Sequence, residues 1–385
     1  MNKQFLRNIA DIQTGPFGSQ LHKEDYVDIG TPIVTVEHLG NRTFTEQNLP
    51  KVSAEDKARL SKYVLAEGDI VFSRVGSVDR CSYVDTAHDG WMFSGRCLRV
   101  RPNSEIDPLF LYYFFCLEET KQFVRNIAVG ATMPSINTKL LGEVEIDLPS
   151  MEDQRKIAAT LSSLDDKIET NQKINDHLEQ QAQALYAEMF LNSSNNNVTT
   201  GTLSDIAIIT MGQSPSGSSY NEDGDGEVFY QGRAEFGFRF PKRRLFTTEA
   251  KRMAEPGDVL LSVRAPVGDL NVAYERCCIG RGLCAIHSKT GHSSFVLYTM
   301  FALRPQLDVF NGEGTVFGSI NRDALNAIPI DIPLGTKIDQ FEAVVHPIDD
   351  LIRTNYEEIC RLEAIRDSLL PKLMSGEIDV SAVQL

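Results

Sequence analysis

The sequence GATMPSINTKLLGEVEIDLP, residues 130–149, has a counterpart in GTVFGSINRDALNAIPIDIP, residues 314–333. Both stretches contain Ser-Ile-Asn followed by Ile-Asp-x-Pro, and the matching positions lie 184 residues apart throughout. Self-similarity at a fixed offset is the signature of a repeated structural unit. The chain is therefore predicted to be a tandem duplication.

Shorter matches extend the repeat towards the start of each copy. They pair LRNIADIQTG (6–15) with LSDIAIITMG (203–212), GDIVFS (68–73) with GDVLLS (257–262), and GRCLRV (95–100) with GRGLCAI (280–286). The offset changes from one pair to the next, so the segments between matching elements differ in length. Because loops on a shared scaffold commonly carry function, these segments are expected to form a recognition surface.

Each copy has the pattern of a compact α+β domain. Short apolar stretches bounded by Gly, Pro and Asp, such as Met92–Val100 and Val259–Val263, predict strands. Longer apolar runs, Phe110–Gln122 and Ser294–Leu303, predict helices. The predicted fold class is α+β, with two tandem domains that each combine a small mixed sheet with helices.

A heptad pattern follows each domain. From 151 to 191 the seam positions alternate in steps of four and three residues, without Gly or Pro, and the pattern recurs 184 residues later with an exception at Arg366 and a proline at 347. This spacing is typical of a coiled coil. The seam positions are Ile157, Leu161, Leu164, Ile168, Asn171, Asn175, Leu178, Ala182, Leu185 and Met189, then Phe341, Val345, Ile348, Ile352, Asn355, Ile359, Leu362, Arg366, Leu369 and Leu373.

The length of these helices indicates how they pack. At 1.5 Å per residue, a helix of about 40 residues is roughly 60 Å long, too long for one small domain to cover its apolar stripe. The helices are therefore predicted to pair as an antiparallel coiled coil that holds the domains apart; the alternative is that each helix packs on its own domain. The predicted segments are domain 1 (1–150), spacer helix 1 (151–192), domain 2 (193–335), and spacer helix 2 with the C-terminal tail (336–385).

Polar residues on the helices support two further predictions. Asn171 and Asn355 fall at the helix midpoints, so they are predicted to face each other across a two-fold axis, hydrogen-bond and fix the register. The alternative is two solvent-facing asparagines matched only by ancestry. The acidic pairs at 165–166 and 349–350 are predicted to be exposed flanks of the helices rather than paired catalytic carboxylates.

Composition indicates a folded protein, with 42% hydrophobic and 24% charged residues. No apolar run approaches the roughly 18 residues of a membrane helix, and the start MNKQFLRNIADIQ lacks the apolar core of a signal peptide, so the expected location is the cytoplasm. Seven cysteines without a CxxC pair suit a reducing compartment. The net charge of −15 at first disfavours a nucleic-acid ligand, although basic clusters occur at 96–101 and 239–244.

Motifs of catalytic or metal chemistry are missing from the sequence. There is no Pro-Pro pair, no GxxxxGK[ST] phosphate loop and no HExxH. Cysteines and histidines between Cys278 and His292 have no counterpart ligands in the first copy. Residues 221–226 imitate a calcium loop, but Gly232 stands where the bidentate Glu would be needed. Neither catalytic residues nor metal ligands are predicted.

Together these phrases resemble the specificity subunit of a type I restriction–modification enzyme, over essentially the whole chain. The residues that carry the resemblance are GDIVFSRVGSV, GATMPSIN and IDLPSMEDQRKIAATLSSLDDKI in the first half, and GDVLLSVRAPVGDLNVA, GTVFGSIN and LLPKLMSGEIDV in the second. Taken together, in this order and in both halves of the chain, these motifs are specific to that family.

The resemblance implies two target recognition domains that each read one half of a split site in double-stranded DNA. It implies that the helices act as a ruler and dock two modification (methyltransferase) subunits, which would bring S-adenosylmethionine and methylate adenine. Restriction subunits would join to cleave DNA, and this chain would be non-catalytic and hold no cofactor. The competing hypothesis is a coiled-coil scaffold whose globular domains bind protein rather than DNA.

Arginine and glutamine side chains in the loops are the candidate DNA contacts, because they can make bidentate bonds to guanine and adenine edges. For each candidate, a structural salt bridge or a phosphate contact is an equal alternative to a base contact. The candidates are Gln13, Arg74, Arg80 and Arg96 in the first domain, and Gln213, Arg233, Arg243, Arg244 and Arg264 in the second.

Overall fold

The computed structural model describes residues 2–18, 20–192, 198–312 and 318–380. Contacts within the chain group into two compact units, one of Met1–Thr170 with Glu358–Leu385 and one of Asn171–Glu357. Each unit contains one copy of the repeat and a segment of each long helix. Within the described residues, none of the helices combines the length and apolar character that crossing a membrane requires.

The first unit is a mixed α/β structure. Its strands are β1 (Asn2–Phe5), β2 (Ala10–Thr14), β3 (Tyr26–Val27), β4 (Thr31–Val34), β5 (Lys51–Val52), β6 (Ile70–Ser73), β7 (Cys81–Tyr83), β8 (Met92–Phe93), β9 (Cys97–Pro102) and β10 (Glu145–Leu148). Its helices are α1 (Leu6–Ile9), α2 (Ala54–Arg59), α3 (Pro108–Cys116), α4 (Glu118–Ile127) and α5 (Thr138–Leu141), and α6 (Met151–Tyr186) begins in it. The strands pair in the orders β2-β9-β6-β7, β3-β5-β4-β8 and β1-β10.

The second unit repeats this plan. Its strands are β11 (Val198–Thr202), β12 (Ala207–Met211), β13 (Tyr220–Asn221), β14 (Glu227–Tyr230), β15 (Phe246–Thr247), β16 (Met253–Ala254), β17 (Val259–Ser262), β18 (Leu270–Val272), β19 (Cys277–Ile279), β20 (Leu283–Ser288) and β21 (Pro329–Pro333). Its helices are α7 (Leu203–Ile206), α8 (Ser293–Ala302), α9 (Arg304–Asp308) and α10 (Arg322–Asn326), and α11 (Gly335–Met374) begins in it. The sheet β12-β20-β17-β18 matches β2-β9-β6-β7 of the first unit, so the two copies share a scaffold.

The repeated Gly-Asp turns start the buried central strands. Gly68 and Gly257 have φ of 88° and 87°, a conformation that glycine adopts without steric cost. The carboxylates of Asp69 and Asp258 accept backbone N–H bonds at 2.8 Å and close the turns. All four residues of β6 and of β17 are buried, which agrees with their continuous apolar sequence.

Two predicted elements are divided in the structure. The predicted strand Met92–Val100 is β8 and β9, separated by a turn at 94–96, and the predicted helix Phe110–Gln122 is α3 and α4, with a break at Leu117. In both cases an apolar run continues through a change of chain direction. Periodicity reports burial, and it does not by itself locate such a corner.

The long helices are close to their predicted bounds. A π-helical turn, Ala187–Leu191, extends α6, and α11 continues through Pro347 without a break. The two helices contact each other inside each unit. In the first unit Arg366 Nη1 of α11 donates to Asp165 Oδ1 of α6 at 2.7 Å, and in the second Asn355 Nδ2 donates to Asn175 Oδ1 at 2.8 Å.

The prediction that the 165–166 and 349–350 pairs are exposed was wrong for the first member of each pair. Asp165 is 6% exposed and accepts from Tyr113 Oη at 2.6 Å. Asp349 accepts from Tyr298 Oη at 2.8 Å. Each carboxylate accepts a hydrogen bond from a tyrosine of its own unit, a contact that the heptad pattern of the helix does not encode.

Asn355, one of the two residues predicted to fix the register, bonds to an asparagine one helical turn from its predicted partner Asn171. The side chain opposite Asn355 is Asn175, whose Nδ2 also donates to the Ile352 carbonyl at 3.4 Å. Asn171 is buried as well. The predicted pairing assumed that the helix midpoints lie opposite each other, and Asn175 lies one helical turn beyond the predicted midpoint of α6.

Candidate nucleic-acid interface

Arg74 and Arg96 lie together where the central strands of the first unit end. Arg74 directly follows β6, and its backbone N–H donates to the Arg96 carbonyl at 2.8 Å. The Ile136 N–H donates to the Arg74 carbonyl at 3.0 Å, which places the GATMPSIN loop beside them. We call Arg74 and Arg96 the first arginine corner.

The side chains of the first arginine corner are not neutralised by the protein. Neither forms an ion pair with a carboxylate of the described residues. The Arg74 guanidinium lies 5.6 Å from the ring centroid of Phe17, which is 56% exposed. The loop that contains Phe17 packs closely against the backbone next to Arg96, because a Cβ at Gly95 would come within 2.2 Å of the Pro16 carbonyl oxygen. An exposed aromatic ring and two cations are thus available to a ligand.

The second unit also has two arginines beside the ends of its central strands, each one residue away from the position equivalent to Arg74 or Arg96. Arg264 follows β17 and pairs with Ser319 in an isolated β-bridge, and the Arg281 N–H donates to Ser214 Oγ at 3.2 Å. Both arginines are exposed, and within the described ranges neither has an ion-pair partner. We call Arg264 and Arg281 the second arginine corner. They line an open cavity of about 580 Å³ together with Asn321.

Arg281 was not among the sequence candidates, although a signal for it existed. It occupies the position of Arg96 in the match between GRCLRV and GRGLCAI. Phe17 was also missed, and its sequence context, Gly15-Pro16-Phe17-Gly18, marks only a turn. The repeat alignment therefore held more information about the site than residue type alone.

Three of the predicted DNA-contact candidates, Arg80, Gln13 and Gln213, lie outside the two arginine corners. Arg80 Nη2 donates to the Leu39 carbonyl, and its guanidinium lies against Gly40, where a Cβ would be 2.6 Å from Nε. Gln13 lies within β2, opposite Arg99 of β9, and is partly exposed. Gln213 is exposed, and its backbone N–H donates to the Ile279 carbonyl at 3.0 Å. Arg80 therefore holds a loop, whereas the two glutamines remain accessible.

The remaining candidates lie on the surface of the second unit, each paired with an acid. Burial alone would lower the pKa of Arg243, but the bond to its acidic partner raises it. A guanidinium whose charge is already balanced by a carboxylate attracts a phosphate less strongly than do the guanidiniums of the two arginine corners, which are unpaired among the described residues. The ion pairs are Arg233 with Asp269, Arg243 with Glu275 (Nη2 to Oε2, 2.7 Å) and Arg244 with Glu235 (2.7 Å).

Metal chemistry finds no support in the described part of the chain. There, no three His, Cys, Asp or Glu side chains gather so that they could hold an ion. In the calcium-like segment, Asn221 Nδ2 donates to the Asp225 carbonyl and Asn221 Oδ1 accepts from the Asp225 backbone N–H, each at 2.9 Å. That segment is a self-closed polar turn.

Similarity to known proteins agrees with this arrangement. Residues 1–180 match a family profile described as type I restriction modification DNA specificity domain. The HindI specificity subunit of Haemophilus influenzae is 31% identical over 157 residues, which are 40% of this chain and 34% of that protein. The S subunit of the type I restriction–modification system of M. genitalium, a crystal structure, has a TM-score of 0.57 at 18% identity, covers 97% of this chain and 95% of that one, and shares the fold.

One relative matches nearly end to end. The putative type I restriction enzyme MjaX specificity subunit of Methanocaldococcus jannaschii is 31% identical over 399 residues, which cover 97% of this chain and 93% of that protein. This similarity confirms the resemblance inferred from the repeated motifs. The chain belongs to the family of type I restriction enzyme DNA specificity subunits.

Proposed function

We propose that each repeat of this specificity subunit reads one half of a bipartite site in double-stranded DNA. The observation that carries the proposal is the pair of arginine corners, which present cations without acidic partners among the described residues beside the ends of corresponding strands, β6 and β9 in the first copy and β17 and β20 in the second. Arginine contacts both phosphates and guanine edges. In this proposal the target recognition domains are residues 1–150 and 193–335, and the spacer helices are 151–192 and 336–385.

The spacer helices are proposed to pair as an antiparallel coiled coil. Contacts inside the second unit support this arrangement, because Asn175 lies opposite Asn355 and Phe190 contacts Phe341 at a ring distance of 5.3 Å. Along this pair the residue number rises on one helix and falls on the other. The length of such a pair would set the distance between half-sites, which face the same side of DNA about one turn, roughly 34 Å, apart.

The helices are also proposed to dock two modification subunits, with restriction subunits joining the complete complex. Exposed apolar side chains on them support a protein-binding role, and Ile174, Val344, Leu351 and Ile365 are examples. The modification subunits would supply S-adenosylmethionine and the methyl transfer. This chain would contribute recognition rather than catalysis.

An electrophoretic mobility shift tests the proposal against the protein-binding scaffold. The chain alone and the chain with its modification subunits are mixed with duplexes that carry or lack the site, which methylome sequencing of the host defines. We expect sequence-specific binding that strengthens when the modification subunits are present. Equal affinity for both duplexes, with and without those subunits, would favour the scaffold.

The second arginine corner is expected to contribute directly to DNA affinity. Arg264→Ala combined with Arg281→Ala should weaken binding by about 1 to 3 kcal/mol for each arginine that reads a base. For each arginine that binds only a phosphate, the salt dependence of binding should instead become shallower by about one unit of slope. The measurement is Kd by fluorescence anisotropy at several salt concentrations.

Arg243→Ala is the matched control for this double variant. Its guanidinium is also exposed but already paired with Glu275, so its removal should change Kd and the salt slope less. If the double variant kept both the affinity and the salt slope of the wild type, the second arginine corner would not be part of the interface.

A further inference from the structure

Arg239 joins the recognition part of the second unit to both long helices. It lies in the loop between β14 and β15 and is 4% exposed. Its Nη2 donates to Glu179 Oε1 of α6 at 2.9 Å, and its Nη1 donates to Asp349 Oδ1 of α11 at 2.9 Å. One guanidinium therefore binds one carboxylate from each helix.

Tyr298 of α8 completes the cluster. Its hydroxyl donates to Asp349 Oδ1 at 2.8 Å and accepts from Arg239 Nη2 at 3.2 Å. Burial alone would lower the pKa of Arg239, but Tyr298 and the two carboxylates raise it, so the cation persists. Burial raises the pKa of Glu179, and Arg239 opposes that rise.

The loop of Arg239 is in turn connected to the second arginine corner. The Val272 N–H of β18 donates to the Arg239 carbonyl at 2.8 Å. Strand β18 pairs with β17, and Arg264 lies two residues after the end of β17. On the other side, Phe240 contacts Tyr356 of α11 at a ring distance of 4.9 Å. A short, packed route thus runs from the helices to the candidate DNA contacts.

The counterpart in the first unit is built differently. The Arg42 carbonyl accepts from the Tyr83 N–H of β7 at 2.7 Å, as the Arg239 carbonyl does from β18. The Arg42 guanidinium, however, contacts Asp166 at 2.5 Å and Glu169 at 3.7 Å, and both acids belong to α6. Binding to both helices at once is a property of Arg239 and not of its counterpart.

We propose that Arg239 is a positioning residue that fixes the angle of the second recognition domain on the two helices and thereby selects the spacer length between half-sites. The inference rests on the proposed function. One base pair added to a spacer moves a half-site by about 3.4 Å and rotates it by about 34° around the duplex, so a rigid domain rejects it. Loosening the attachment to one helix should relax this selection.

Glu179→Gln is the variant that tests the inference. It removes one of the two charges that Arg239 binds and leaves Asp349 and Tyr298 in place, so the loop keeps its attachment to α11. The full chain in complex with its modification subunits is titrated with duplexes of the natural spacer and of spacers one base pair shorter and longer. We expect the affinity ratio of natural to altered spacers to fall by about fivefold or more, while affinity for the natural spacer changes little.

Two further variants sharpen the result. Tyr298→Phe removes only a hydroxyl from the cluster and should shift the ratio in the same direction. Arg276→Gln breaks ion pairs with Glu227 and Glu255 on the surface of the same unit and should leave the ratio unchanged.

The outcomes separate the inference from the function on which it rests. If Glu179→Gln and Tyr298→Phe weakened binding equally at every spacer length, or changed nothing, Arg239 would be a structural residue only and the inference would be wrong. If the wild-type complex showed no preference for any duplex sequence, the proposed function itself would fail, and the wild-type titration alone would reveal it.

Discussion

Exchanging residues 1–150 for the equivalent domain of a related specificity subunit will change one half of the recognised site and leave the other half intact. The two copies share their sheet order but have separate cores and separate arginine corners, so each should read its half-site independently. Each mismatched base pair typically costs about 1 to 3 kcal/mol, so three mismatches in the exchanged half weaken binding to the original site by about 10²-fold or more. Methylome sequencing of the host and Kd on hybrid duplexes measure the change.

The position of the junction is itself informative. Asp165 and Asp166 of α6 bind Tyr113 and Arg42 of the first recognition copy, so a junction at 150 separates these partners. A junction after Thr170, the boundary of the first compact unit, transfers them together. We expect both chimeras to show the new half-site, and the second to be more stable to heat. A reciprocal exchange of 193–335 is the control, and a change in both halves after either exchange would contradict independent reading.

Sequence reasoning was most successful where a pattern is repeated. The matches around GDIVFS and GDVLLS predicted buried strands, and both are central strands of their sheets. The heptads predicted two long helices, and α6 and α11 are close to the predicted bounds. A repeat doubles the number of observations for each element, and a seam of ten positions averages over local exceptions.

The parts that sequence reasoning missed depend on contacts between distant residues. The burial of Asp165 depends on Tyr113, 52 positions away, and Arg80 is held by a carbonyl 41 positions away. The type of a residue gives its chemistry but not its partner. Arg96 and Arg243 are similar in sequence terms, yet one is unpaired among the described residues and the other is held by Glu275.

Arg366, the exception in the second heptad pattern, is expected to be needed for the stability of the fold only as long as residue 165 is an aspartate. Arg366→Leu restores an apolar seam residue but leaves the Asp165 carboxylate buried with, among the described residues, the Tyr113 hydroxyl as its one remaining side-chain hydrogen-bond donor. Breaking a fully buried pair costs about 3 to 5 kcal/mol; because the Arg366 side chain is 28% exposed, we expect a decrease of about 3 kcal/mol in the free energy of unfolding. The measurement is the urea midpoint of the full chain, with Lys156→Gln, which breaks an exposed ion pair on α6, as a control of little effect.

The double variant Asp165→Asn with Arg366→Leu decides what the pair is for. Asparagine still accepts from Tyr113, and no uncompensated charge remains, so stability should return to that of the wild type or exceed it. If the double variant were as unstable as Arg366→Leu alone, the instability would come from packing around residue 366 and not from a stranded carboxylate. A recovered stability together with a weaker preference for the natural spacer would indicate that the chain retains this ion pair for the alignment of its helices rather than for their stability.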